Sequence, residues 1–143
     1  EISTDKGDFK VSNHQRKKIV VFFFPKADTS GCTAESIAFT NLQKEFDKLG
    51  CIVIGISKDN PKSHDKFREK YNLTCELGAD FENDVCEQFG VWVEKSMYGK
   101  KYMGIQRSTF LSNEQGIITH IWEKVKVPGH AEEVLETVKN INN

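Results

Sequence analysis

From Lys17 to Phe24 the chain is apolar at almost every position. Its run Ile-Val-Val-Phe-Phe-Phe is β-branched and aromatic throughout, which predicts a strand buried on both faces. Pro25 closes that strand, because proline cannot donate to a central ladder. From Gly31 or Cys32 to Leu49 the apolar residues Ile37, Leu42, Phe46 and Leu49 recur at roughly helical spacing, with charges between them. Gly50 ends this predicted helix. Cys51 to Ser57 predicts a second buried strand, and Pro61 to Tyr71 an amphipathic helix with proline in its first turn. Phe81 to Phe89 predicts a shorter helix. Arg107 to Ser112 and Ile117 to Glu123 predict a hairpin about the turn Asn113 to Gly116, and Gly129 to Ile141 a final helix. Residues 1 to 16 are polar, with a short strand expected around Phe9 to Ser12.

This β-α-β-α-α-β-β-α order resembles a thioredoxin-like α/β sandwich, a central mixed sheet flanked by helices. The 143 residues suit a single domain, 1–143, with a real core. With 20 basic and 21 acidic residues the net charge is −1, so neither nucleic acid nor a membrane is expected as a partner. The longest apolar run, Ile19 to Phe24, is far too short to cross a bilayer. No signal peptide, internal repeat or low-complexity tract is visible.

The four cysteines, Cys32, Cys51, Cys75 and Cys86, form no C-x-x-C pair, and with four scattered histidines no zinc spacing arises. This usage fits a reducing compartment: the cytoplasm, or an organelle if a targeting segment precedes the sequence. Cys32 has an unusual place, just past the first long strand and at the start of a helix. In open α/β sheets ligands gather at the carboxyl ends of strands. Unpaired N–H groups and the helix dipole there favour thiolate, the nucleophilic form. Cysteine is equally a common core residue, and position alone leaves Cys32 open between packing and chemistry. Cys51, Cys75 and Cys86 read as structural.

The neighbours of Cys32 decide between these. Pro25, Thr29 and Cys32 form P-x-x-x-T-x-x-C within "FFFPKADTSGCTAE", and "YGKKYMGIQRSTFL" runs from Tyr98 to Leu111. Together, in this order, they resemble the peroxiredoxins, specifically the bacterioferritin-comigratory or PrxQ-type subgroup. The resemblance runs from about Ile19 to the C-terminus. That family opens with a G-x-x-A-P-x-F-x-L strand segment, and the sequence is expected to start after it.

The resemblance implies a thiol-dependent peroxidase with no metal, haem or flavin. Cys32 matches the peroxidatic cysteine, whose thiolate attacks a hydroperoxide and becomes a sulfenic acid. Arg107 matches the family arginine, a fixed positive charge for thiolate and transition state. Thr29 would hydrogen-bond sulfur or peroxide, the N–H groups of Gly31 and Cys32 would complete the cradle, and Pro25 would shield the sulfur. Glu35 matches an acidic position that organises the site. Lys26 and Lys100 read as solvated charges.

One departure bears on recycling. Many members of the subgroup carry a resolving cysteine five positions after the peroxidatic one, where this chain has Ile37. A second family placement falls within Pro61 to Tyr71, which contains no cysteine. Three routes stay open: reduction by glutathione, glutaredoxin or thioredoxin; an unusual internal resolver, with Cys86 and Cys75 ahead of Cys51; or an intermolecular disulfide. The first is preferred, in a monomer or weak dimer. The alternative function is a redox-sensing or chaperone-like binding protein that uses Cys32 stoichiometrically. A thioredoxin-type disulfide reductase is disfavoured, because Glu35 stands where its second cysteine would be.

Overall fold

The structure is a computed structural model that describes residues 2–4, 7–9, 18–25, 30–73, 76–79, 85–113 and 117–141. Its elements in order are β1 (Ile2–Thr4), β2 (Gly7–Phe9), β3 (Lys18–Phe23), α1 (Ser30–Asn41), α2 (Gln43–Lys48), β4 (Cys51–Ser57), α3 (Pro61–Tyr71), β5 (Glu76–Ala79), α4 (Val85–Gln88), β6 (Trp92–Met97), β7 (Lys100–Ile105), β8 (Ser108–Ser112), β9 (Ile118–Trp122) and α5 (His130–Ile141). Seven strands form one mixed sheet in the order β2-β1-β5-β4-β3-β8-β9, and β6 and β7 pair separately. β3, β4 and β5 run parallel, while β8 lies antiparallel to β3. The α/β sandwich expected from the sequence is therefore present.

The helix expected to reach Leu49 is two helices. At Leu42 the backbone leaves helical geometry (φ −99°, ψ 5°), and its N–H bonds the carbonyl of Phe39, one residue short of an α-helical partner. The bend lets both Phe39 and Phe46 reach the core. The helix expected over Phe81–Phe89 is described only as Val85–Gln88, residues 81–84 lying outside the described set. β1, β2, β5 and the β6–β7 hairpin were not anticipated as such, and β8 begins one residue after Arg107.

Strand alternation splits the core into two layers. Val20, Phe22 and Phe24 pack with Phe39, Phe46, Phe67, Val134 and Val138 on the face covered by α1, α2, α3 and α5. Ile19, Val21 and Phe23 face the other way, toward Cys86, Val91, Ile105 and Phe110. β4 follows the same rule, with Cys51 and Val53 on the first face and Ile54 and Ile56 on the second. The first layer is tightest where Phe22 lies across β4 from Gly55 and stacks on Phe39 at 4.6 Å.

At the carboxyl end of β4, Ser57 Oγ donates to Asp59 Oδ2 at 2.8 Å. Its oxygen is then left to accept from the Nε2–H of His64, 2.7 Å away. This ties α3 to the strand end beside Phe24, whose ring lies 5.8 Å from His64. Phe24 N–H still reaches Ile56 O at 3.0 Å, but Pro25 has no N–H to continue the ladder.

A methyl group at Gly55 would sit 2.5 Å from Cζ of Phe22, a ring that cannot retreat because Phe39 is stacked on it. Gly55→Ala is therefore expected to destabilise the fold by roughly 1–3 kcal/mol through overpacking. Urea unfolding monitored by circular dichroism would show it as a lower midpoint at unchanged slope.

Candidate active site

α1 starts at Ser30, so Cys32 lies in its first turn, where backbone N–H groups have no helical partner. The side chain of Cys32 is fully buried and belongs to the layer under α1. Arg107 reaches this layer by register. Ser108 pairs with Phe23 and Thr109 with Phe22, so one further step places Arg107 opposite Phe24, on the same face as Cys32. Its carbonyl accepts from Val125 N–H at 2.9 Å, and Gln106 N–H donates to Val91 O at 2.7 Å. The segment that carries the guanidinium is thus fixed on both sides.

The guanidinium is shared. Nη2 donates to Cys32 Sγ at 3.2 Å, and Nη1 donates to Glu35 Oε1 at 2.7 Å. Cys32 and Glu35 are three apart on α1 and so occupy one face of its first turns. Gly31 makes room for the approach: a Cβ there would lie 3.2 Å from Nη2.

Burial differs across the ion pair and decides how each partner behaves. The Glu35 side chain is 1% exposed, and desolvation pushes its carboxyl up to about 7 against the pull of Arg107. Arg107 is 17% exposed. Desolvation opposes its charge too, but Glu35 and Cys32 together outweigh it and hold the guanidinium above its ordinary range. The second oxygen of Glu35, Oε2, is buried with no hydrogen-bond partner among the described residues, so it is the oxygen suited to carry a proton.

Of the residues singled out in the sequence, Cys32, Arg107, Glu35 and Gly31 meet here. Pro25 is half-buried just beyond β3. Thr29, Cys75 and Lys26 lie outside the described residues, and Lys100 is exposed at the start of β7. Cys86 is fully buried, but in the layer on the opposite face of the sheet from Cys32. Cys51 shares the face of Cys32 but pairs with Lys18 at the far end of β3, about 17 Å of strand away. Burial pushes the Cys51 thiol up to about 12, which leaves it protonated and inert. The sequence reading did not single out Lys95 on β6, whose charge is coupled to both Arg107 and Cys32. Among the described residues no group of three His, Cys, Asp or Glu could hold a metal ion, and no helix is long and apolar enough to cross a membrane.

A cysteine in the first turn of a helix, held by an arginine at the carboxyl edge of a mixed sheet, is the arrangement of a thiol-based redox enzyme, and the relatives agree. Residues 2–121 match the AhpC/TSA family, and the chain belongs to it. It is a peroxiredoxin of the bacterioferritin-comigratory (Bcp/PrxQ) subgroup. Peroxiredoxin Bcp of Bacillus subtilis is 42% identical over 99% of this chain and 91% of its own length. Peroxiredoxin Bcp of Xanthomonas campestris is 44% identical over 88% of this chain and 79% of its own. A solved structure of the Xanthomonas campestris bacterioferritin comigratory protein, a protein with alkyl peroxide reduction activity, superposes with a TM-score of 0.94 at 40% identity, covering 99% of this chain and 91% of that one.

The raised Glu35 carboxyl has a consequence for stability. Its folded value, about 7, lies above the ordinary 4.5, so the folded state holds a proton that the unfolded chain has released between those values. The contribution is fully present below pH 4.5 and is lost as pH rises through 7. Glu35→Gln removes this titration. Its stability relative to the unaltered protein is expected to climb between pH 5 and pH 8, in chemical denaturation run at both pH values. A constant difference between the two proteins would show that Glu35 does not titrate there.

Proposed function

We propose that Cys32 is the peroxidatic cysteine of a thiol peroxidase that reduces alkyl hydroperoxides and hydrogen peroxide. The 3.2 Å bond from Arg107 Nη2 to Cys32 Sγ carries this reading. It brings a permanent cation to a sulfur in a helical first turn, and both features favour thiolate. The thiolate attacks the terminal peroxide oxygen. The S–O bond forms as the O–O bond breaks, the leaving oxygen takes a proton, and the products are Cys32 sulfenic acid and water or an alcohol. Negative charge moves from sulfur to the leaving oxygen during the step, so donors that span both positions lower the barrier.

Arg107 is one such donor. The N–H groups of Gly31 and Cys32 and the hydroxyl of Thr29 complete the set, the last on the strength of its match to the family motif P-x-x-x-T-x-x-C alone. Pro25 ends β3 and limits water at the sulfur. Glu35 anchors the Nη1 side of the guanidinium and so fixes where Nη2 points.

The sulfenic acid is recycled by an external thiol: thioredoxin, glutaredoxin or glutathione. A disulfide needs Cα atoms within about 7 Å. Cys86 lies across the sheet from Cys32 and Cys51 at the other end of it, so neither bridges without large-scale opening. An outside reductant still requires the first turn of α1 to open, because the sulfur is fully buried.

Cys32→Ser is expected to abolish peroxide consumption. Arg107→Lys keeps a charge but loses the fork that holds Cys32 and Glu35 together, and should slow Cys32 oxidation by about 100-fold. Cys86→Ser is expected to turn over with an external thiol within twofold of the unaltered enzyme. Stopped-flow peroxide consumption checks all three, and full activity of Cys32→Ser would return Cys32 to the core.

A further inference from the structure

We propose that Lys95 is the second cation of the site, an electrostatic residue that restores the positive charge which Glu35 takes from Arg107. The inference rests on Cys32 being the reacting sulfur. Its starting point is a charge count. Arg107 carries one positive charge, but its Nη1 is bonded to the Glu35 carboxylate at 2.7 Å. Whenever Glu35 is ionised, that pair is neutral as a whole. A thiolate at Cys32 then faces a dipole, not a net cation, in a buried setting where an uncompensated charge is costly. His130, which also feels Arg107, is pushed below its ordinary range by burial, which favours its neutral form.

Lys95 is built to supply the missing charge. It lies on β6 opposite Tyr102 of β7, and Gly104 is its diagonal neighbour on the same face. A Cβ at Gly104 would meet Lys95 Cδ at 3.2 Å and Cε at 3.5 Å. The lysine stem therefore runs over Gly104, along β7 in the direction that leads to Arg107. Gly104 has no left-handed φ to explain it. A glycine inside a strand weakens it, and here the space it leaves is filled by the lysine stem and the Tyr102 ring. No carboxylate among the described residues pairs with the Lys95 ammonium, whereas its neighbour Glu94 is engaged by Lys101 at 3.6 Å. The ammonium is thus free to act on the site. Burial and the Arg107 charge push it below the usual lysine range, while Cys32 pulls the other way.

The field at the sulfur can be read without peroxide turnover. Cys32 is alkylated at pH 8, where Glu35 is ionised, with anionic iodoacetate and neutral iodoacetamide, and the ratio of the two rates is taken. In Lys95→Met this ratio should fall about threefold or more, and the rate with hydrogen peroxide about fivefold. Lys95→Arg should restore both, which separates charge from packing. In a Glu35→Gln background Arg107 keeps its full charge, so the loss from Lys95→Met should shrink. Gly104→Ala keeps every charge but presses on the stem, and should give a partial fall in the ratio. An unchanged ratio in Lys95→Met would overturn the proposal, as would an Arg variant as impaired as Met, or an equal loss in the Glu35→Gln background. Loss of peroxidase activity in all variants alike, with the alkylation ratios behaving as stated, would count against the peroxidase assignment and leave the charge balance standing.

Discussion

The fork of Arg107 between Cys32 and Glu35 is the contact on which the site depends. One nitrogen sits 3.2 Å from sulfur and the other 2.7 Å from a buried carboxylate. A lone arginine near a thiolate would have many rotamers available. The second bond removes most of them, so the carboxylate acts as a fixed stop that aims the guanidinium. That stop has an electrostatic cost, since the group that orients the cation also neutralises it. Desolvation of Glu35 offsets part of this by drawing its titration close to neutrality, and a second nearby cation offsets the rest.

The fold exists to make that meeting reproducible. α1 and β8 are far apart in sequence and join only because β3 pairs with β8 in a register that points Arg107 toward α1. A slip by one residue would turn Arg107 to the opposite face, beside Phe23 and Cys86. The register is held by buried Phe22 and Phe24 on one face and Phe23 on the other, packed at ring distances of about 5–6 Å. The aromatic run that marks the strand in the sequence is therefore also what keeps Arg107 on the same side of the sheet as Cys32.

Much of this was legible in the sequence because the central elements carry strong local signals. Ile19 to Phe24 is an unbroken apolar run and Cys51 to Ser57 nearly one, and Pro61 marks the first turn of α3; the Asn60 cap before it, whose Oδ1 accepts from Ser63 N–H at 2.9 Å, was not singled out. The motif around Cys32 and the arginine segment told which residues to bring together. The β6–β7 hairpin was not legible. Its strands are rich in lysine, and its turn is Tyr98-Gly99, with both residues at positive φ (53° and 80°). That geometry normally announces itself through Asn-Gly or Asp-Gly. β5 is only Glu76–Ala79 and contains no β-branched residue. Lys95 stayed hidden because its meaning depends on the space over Gly104, and the burial of Glu35 because helical position alone does not show depth.

The central claim is that Cys32 alone takes the oxidising equivalent and hands it to an outside thiol. Intact mass after one equivalent of hydrogen peroxide, with and without a sulfenic-acid trap and followed by peptide mapping, tests this most directly. A single trapped adduct on Cys32 is the predicted result. An unmodified Cys32, or rapid loss of two hydrogens mapped to a bridge from Cys32 to Cys86 or Cys75, would contradict it.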